Sequence, residues 1–169
     1  MRRVDALTGI IETVAGMRFG GSPDDGIPAK SAGLDLVAIE LGRDGALYLI
    51  DGTRVRRVDG ISGIITTVAG RGTWYGPLGD GGPATEATLS APGDLSFGTQ
   101  GNLFIDDSGH YRIRRVDANT RVISTVAGTG HTGVDGDGGP AVAASIGRPA
   151  GIVVYGGGSF AISGEHRIR

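Results

Sequence analysis

Three runs along the chain carry the same order of polar and apolar positions. Residues 2–16 read RRVDALTGIIETVAG, residues 56–70 RRVDGISGIITTVAG and residues 114–128 RRVDANTRVISTVAG, so the copies start 54 and 58 residues apart. In each, a pair of arginines leads into Val-Asp, a short bend follows, and a β-branched run ends on Val-Ala-Gly. Two β-rich runs parted by a few turn residues predict a hairpin. Recurrence at tens of residues predicts one supersecondary unit used several times, which buries its apolar faces only against its neighbours.

Two further strands are predicted in each unit: Leu36 to Glu40 with Ala46 to Ile50, Asp94 to Phe97 with Asn102 to Ile105, and Gly151 to Val154 with Ser159 to Ile162. Their connections, Gly42-Arg43-Asp44-Gly45, Gly98-Thr99-Gln100-Gly101 and Gly156-Gly157-Gly158, have the composition of hairpin turns. The second strands hold unbroken apolar triplets, Leu47-Tyr48-Leu49, Leu103-Phe104-Ile105 and Phe160-Ala161-Ile162, which predict burial on both faces. Arg54-Val55-Arg56, Arg112-Ile113-Arg114 or Arg167-Ile168-Arg169 then closes each unit. After each Val-Ala-Gly runs an acidic, Gly-rich connection such as Gly79-Asp80-Gly81-Gly82-Pro83-Ala84, and Pro83 reads as the first residue of a short helical turn. Four strands per repeat predict a twisted antiparallel sheet packed face to face on its neighbours, a propeller blade. The competing repeat architecture is a parallel solenoid, whose coils are shorter and need no three Gly-marked hairpins per period.

Composition agrees. At 169 residues and 39% apolar the chain suffices for one ordinary domain, and 33 glycines without a Gly-X-Y period read as turn residues. A net charge of −2 gives no global pull toward nucleic acid or an anionic membrane, so neither is expected as a partner. No apolar run nears the ~18 residues of a membrane-spanning helix. The amino terminus lacks the apolar core of a signal peptide. The absence of cysteine removes disulfide and thiol chemistry and leaves the compartment open.

Residues 101–117, GNLFIDDSGHYRIRRVD, and residues 159–169, SFAISGEHRIR, resemble NHL repeats, and Val-Ala-Gly followed by Gly-Asp-Gly-Gly-Pro-Ala is similar to the NHL arrays of bacterial surface and secreted proteins and of some animal adhesion receptors. The resemblance covers essentially the whole chain. It implies an all-β β-propeller of four-stranded antiparallel blades, three per chain, with repeats at about 2–55, 56–113 and 114–169. It also implies a secreted or surface bacterial parent. The family's Asn-His pair is replaced by His110-Tyr111, by Glu165-His166 and by the shortened Asp51-Gly52-Thr53, and its inner-strand signature is altered in Gly93-Asp94-Leu95-Ser96-Phe97.

The two ends of the sequence are related. Arg167-Ile168-Arg169 aligns with Arg112-Ile113-Arg114, and the continuation Arg115-Val116-Asp117 is matched at the start by Arg3-Val4-Asp5. Propellers of this family typically have about six blades, and an open three-blade arc leaves unpaired edges and bare blade faces. The expectation is therefore a homodimer forming a six-bladed ring. In it, Arg3, Val4, Ile10, Ile11 and Val14 of one copy close on Ile152, Val154, Phe160, Ile162 and Ile168 of the other. A cut inside a blade is what a truncated or engineered half-propeller would present.

Candidate chemistry is sparse. Asp24, Asp25, Asp80, Asp135 and Asp137 recur in the connections without the spacing of a calcium loop, so they are expected to cap turns. The arginines of the repeats form a stripe, and some NHL proteins bind RNA through a basic face. Here 18 acidic residues outweigh 16 basic ones, so cross-strand ion pairs at solvated edges are expected. Lyases on this fold hold zinc through histidines near the channel, and His110 and His166 lie in equivalent connections, while His131 stands apart. Trp74-Tyr75 is expected to staple its loop. Asp106 and Asp107 are neighbours on one strand and point to opposite faces. No Gly-x-Ser-x-Gly, His-Glu-x-x-His or phosphate-binding Gly-Lys-Ser/Thr motif is present.

These residues predict a non-catalytic structural or binding scaffold with no cofactor and no metal, whose partner is a second copy of itself, with a small ligand or protein still to be identified. The alternative is a ligand-binding or metal-dependent propeller enzyme, lyase- or hydrolase-like, with its site at the central channel. Asp80, Asp137, Asp107, His110 and His166 are the candidate channel-face residues.

Overall fold

β-branched and aromatic residues fill short runs between glycines with positive φ, and these runs form fourteen strands among the described residues. The structure is a computed structural model that describes residues 1–17 and 23–169. The strands are β1 (Arg2–Val4), β2 (Ile11–Thr13), β3 (Ile27–Pro28), β4 (Leu36–Leu41), β5 (Leu47–Asp51), β6 (Arg54–Val58), β7 (Ile64–Ala69), β8 (Asp94–Phe97), β9 (Leu103–Asp107), β10 (Arg112–Val116), β11 (Ile123–Ala127), β12 (Pro149–Val154), β13 (Phe160–Gly164) and β14 (Arg167–Ile168). All their pairings are antiparallel.

Blade A has the order β3-β7-β6-β5-β4, blade B β11-β10-β9-β8, and blade C β12-β13-β14, while β1 and β2 form a separate hairpin. The expected four-stranded blade is thus realised in A and B. Blade C has three strands.

The blades stack through their faces. Between A and B lie Tyr48, Ile50, Val55 and Ala69 on one side and Leu95, Ile105, Val116 and Ile123 on the other, with Ala84, Ala87 and Leu89 of the connection between them. Between B and C, Phe104, Ile113 and Ala127 meet Ala144, Ile146, Ile152 and Ile162. Tyr48 and Phe97 pack edge to face across the first junction at 4.7 Å. A blade therefore has little core of its own, as a repeat unit should not.

The first strands adjoin, β4 against β8 and β8 against β12. Two side chains of β8 fix the second junction: Asp94 Oδ2 accepts from the Ile152 amide at 2.9 Å, and Ser96 Oγ accepts from the Val154 amide at 3.1 Å.

The connections into blades A and B each cross that blade's outermost strand before reaching its first. β3 pairs with β7 through Ile27↔Ile65 and Pro28↔Ile64, and Pro83 bridges Val122 beside β11. A single 3-10 turn follows in each copy, at Ala29–Ser31, Ala84–Glu86 and Ala141–Ala143. Pro83 stands just before its turn with extended backbone, φ −58° and ψ 132°, so it caps the turn instead of opening it.

Candidate functional site

The hairpin repeat is the same object three times. Its register is Arg2↔Thr13, Arg3↔Glu12, Val4↔Ile11 in β1–β2, Arg56↔Thr67, Arg57↔Thr66, Val58↔Ile65 in β6–β7, and Arg114↔Thr125, Arg115↔Ser124, Val116↔Ile123 in β10–β11. Asp5, Asp59 and Asp117 hold the bends identically. Each carboxylate accepts from the amides two and three residues on and from a Thr or Ser hydroxyl. These hydrogen bonds, led by those of Ser62, pull the Asp59 carboxyl down to about 2, and Asp5 and Asp117 shift the same way for the same reason.

The arginines divide by strand face. Arg57 stays at the surface, its Nε and Nη2 donating to Asp44 Oδ2 at 3.0 and 2.9 Å. Arg56 and Arg114 are wholly buried, contrary to the expectation of solvated edges. Arg56 donates to Asp51 at 3.1 Å, to Asp25 at 2.8 Å and to the Asp24 carbonyl at 2.9 Å. Arg114 donates to Asp107, Asp80 and the Leu78 carbonyl at 3.1, 2.8 and 2.8 Å. Each guanidinium thereby bolts the incoming connection to its blade, and the connection's aspartate also takes Thr67 or Thr125 of the outermost strand. In blade C, Arg169 repeats the clamp on Asp137 at 2.8 Å and on the Asp135 carbonyl at 3.0 Å. By register Gly164 stands there where Asp51 and Asp107 stand in the other blades.

The candidate channel-face residues are thus placed in two roles and one turn. Asp80 and Asp137 serve clamps. Asp107 is buried, accepting from Arg114, from the Ser90 amide at 2.7 Å and opposite His110 Nδ1 at 2.9 Å. His166 is exposed and, with Glu165, forms a left-handed corner between β13 and β14 at φ 61° and 48°. His110 and His166 are not brought together, and no group of three or more His, Asp or Glu gathers to hold a metal ion among the described residues. Trp74 and Tyr75 are exposed, so no aromatic staple forms. The neighbours Asp106 and Asp107 diverge as expected. Burial pushes the Asp106 carboxyl up to about 6, the Ser108 hydroxyl opposing and the Asp94 and Asp107 carboxylates adding to it. Ser108 donates to Asp106 at 2.7 Å and contacts the Pro149 carbonyl of blade C at 2.9 Å.

The feature that sets this chain apart is at its two open faces. Val58 and Ile65 are 5% and 0% exposed and Val116 and Ile123 4% and 0%, but their counterparts Val4 and Ile11 are 61% and 53% exposed. Ile39 of β4 is 56% exposed where its register equivalents Leu95 and Ile152 are buried. Ile168 is 80% exposed where Val55 and Ile113 are fully buried. Blade C, for its part, holds an open groove of about 420 Å³ lined by Ala127, Ala144, Ile146, Phe160, Ile162 and Arg169. It lies where β7 and β11 lie in blades A and B. Gly16 tells the same story: a Cβ on Gly70 or Gly128 would strike the backbone of Thr53 or Tyr111, whereas one on Gly16 meets nothing closer than 3.6 Å. The strand-to-strand corner that crowds the other two glycines is missing around the first copy.

No family model matches the chain, and no curated protein is significantly similar to it. Solved structures are. A Bacteroides thetaiotaomicron protein of unknown function is 23% identical with a TM-score of 0.70 over 95% of this chain and 38% of its own. An auxiliary nutrient binding protein from Bacteroides ovatus is 21% identical with a TM-score of 0.70 over 99% of this chain and 41% of its own. A putative gluconolactonase is 18% identical with a TM-score of 0.57, over 96% and 49%. The chain spans about two fifths of the length of the first of these. At such identities the likeness is one of fold, and with the blades described above it makes this chain an all-β segment of a β-propeller.

Proposed function

We propose that the chain is a non-catalytic binding scaffold, an NHL-type half-propeller that a second copy completes into a six-bladed ring. The observation that carries this reading is the pairing of surplus with deficit. The β1–β2 hairpin carries, bare, the Val and Ile whose counterparts are buried at the faces of blades A and B, and blade C has a groove at the position those residues would fill.

The register supports one form of the joint. Arg2 and Arg169 both correspond to Arg56 and Arg114, and among the described residues Arg169 alone of the two holds a connection aspartate. In the joined blade Arg169 takes the position opposite Thr13 of the other copy, and that Thr13 hydroxyl reaches Asp137 as Thr67 reaches Asp25. Covering Val4, Ile11, Ile39 and Ile168 at both joints removes several isoleucine-sized surfaces from water per chain, each worth about 1.5–3 kcal/mol when fully buried. The two joints are related by a twofold axis.

A binding role, in preference to catalysis, fits the use of Asp80, Asp107 and Asp137 in clamps. Two similar structures are described as auxiliary nutrient binding proteins. The test is mass in solution: light scattering should give twice the chain mass for the native sequence and the chain mass for Ile11→Asp with Ile168→Asp. A native mass of one chain at micromolar concentration would overturn the proposal.

A further inference from the structure

The outer rim carries a groove apart from the open faces that touches the clamps through Thr67. It measures about 400 Å³, within the range of small-molecule sites, and lies between the outer strands of blade A and the connection into blade B. Asp44, Tyr48, Arg57 and Thr66 line it from blade A, Thr85 from the connection and Arg121 from the bend between β10 and β11.

Arg121 is the unusual member. It occupies the place that Gly9 and Gly63 take in the other two hairpins, with the same bond from its amide to the carbonyl of the aspartate four residues before it. Its φ is 60°, against 69° and 68° for the glycines, so the left-handed backbone that glycine adopts freely is here imposed on an arginine. Its guanidinium forms no hydrogen bond or ion pair with the described residues, and it lines the groove together with Tyr48. The other cation, Arg57, is already held by Asp44 and Asp59. One positive charge is therefore uncommitted. Around it stand hydroxyls of Tyr48, Thr66 and Thr85 and the half-exposed Asp44 carboxylate, which suits an alcohol donor.

We propose that this groove binds a small hydroxylated monocarboxylate of the uronic-acid class, with Arg121 holding the carboxylate and Asp44 and the threonines taking the hydroxyls. A guanidinium suits a carboxylate because its paired N–H groups match both oxygens. The site lies within one chain and needs no second copy, so its test is independent of ring closure.

Titration calorimetry of the native chain with D-glucuronate, D-glucose and sulfate is the experiment. Glucuronate should bind at least tenfold more tightly than either of the others, and Arg121→Gly should weaken glucuronate at least tenfold. The same variant should melt at or above the native temperature, because glycine relaxes the bend, so loss of binding cannot be laid to unfolding. Arg121→Lys, which keeps the charge without the fork, should bind with intermediate affinity. Glucose binding equal to glucuronate, no glucuronate binding, or undiminished binding by Arg121→Gly would each overturn the site.

Discussion

Arg114 and Asp80 stand 34 residues apart in sequence and 2.8 Å apart in the fold, with the guanidinium wholly buried and the carboxylate partly in water. The pair ties the connection between blades A and B to the third strand of blade B, as Arg56 with Asp25 and Arg169 with Asp137 do in the flanking blades. Its buried end is Asp107. Asp107→Ala, which takes the buried carboxylate from Arg114 and the Ser90 amide and leaves the guanidinium only Asp80 and the Leu78 carbonyl, should cost about 3 kcal/mol in denaturant unfolding. Asp80→Ala, at the wetter end, should cost about 1 kcal/mol or less. Joint replacement by Arg114→Met and Asp107→Leu should cost less than Asp107→Ala alone, because the one carboxylate left without its arginine, Asp80, is partly in water.

The three Val-Ala-Gly glycines should respond unequally to alanine. Gly70→Ala and Gly128→Ala force a Cβ onto the carbonyls of Thr53 and Tyr111 as well as imposing positive φ. Gly16→Ala imposes the φ alone. Melting curves should show a loss of about 1 kcal/mol for Gly16→Ala and clearly more for the other two.

Glu165 and His166 form a two-residue corner in which both have positive φ, the geometry that favours Asn-Gly. Glu165→Asn with His166→Gly should stabilise the chain by about 1–2 kcal/mol in thermal unfolding. A loss of stability would mean that these side chains make contacts beyond those of the corner.

Stability should vary with pH in two opposed ranges. The folded Asp106 carboxyl is raised to about 6 from 3.8, so its favourable contribution is complete below pH 3.8 and is lost as pH rises through 6. The Asp59 carboxyl is lowered to about 2, so its contribution is complete above 3.8 and is lost as pH falls toward 2. Unfolding measured from pH 2 to 8 should therefore be most costly near pH 4. Asp106→Asn should flatten the fall between pH 4 and 7, a change on the order of 2–3 kcal/mol, and leave the acid limb unaltered.

The strands were legible in the sequence because glycine turns bracket β-branched runs: Asp94 to Phe97 is found at its predicted bounds, and Leu36 to Glu40 extends by one residue. The hairpin register follows from three copies of one pattern. The burial of Arg56 and Arg114 was not legible, since one aspartate partner of each comes from a connection more than thirty residues away and adjacent arginines of one strand face opposite ways. A proline suits the residue before a 3-10 turn as well as its first position, and Pro83 stands one residue earlier than its composition predicts. His110 and His166 occupy equivalent connections in sequence, but the corner at His166 is two residues shorter and takes a different shape. Arg121 is marked in the sequence itself, an arginine where the other two bends have glycine.

The proposed joint is tested most directly by cross-linking between two variants, since the native chain has no cysteine. Thr13→Cys and Arg169→Cys are mixed under mild oxidation. Across the joined blade these positions correspond to Thr125 and Arg114, which face each other in blade B. The account predicts a disulfide-linked one-to-one product from the mixture and little from either variant alone. A mixture that yields no more mixed product than random collision of surface thiols, as set by a Leu7→Cys control, would contradict it.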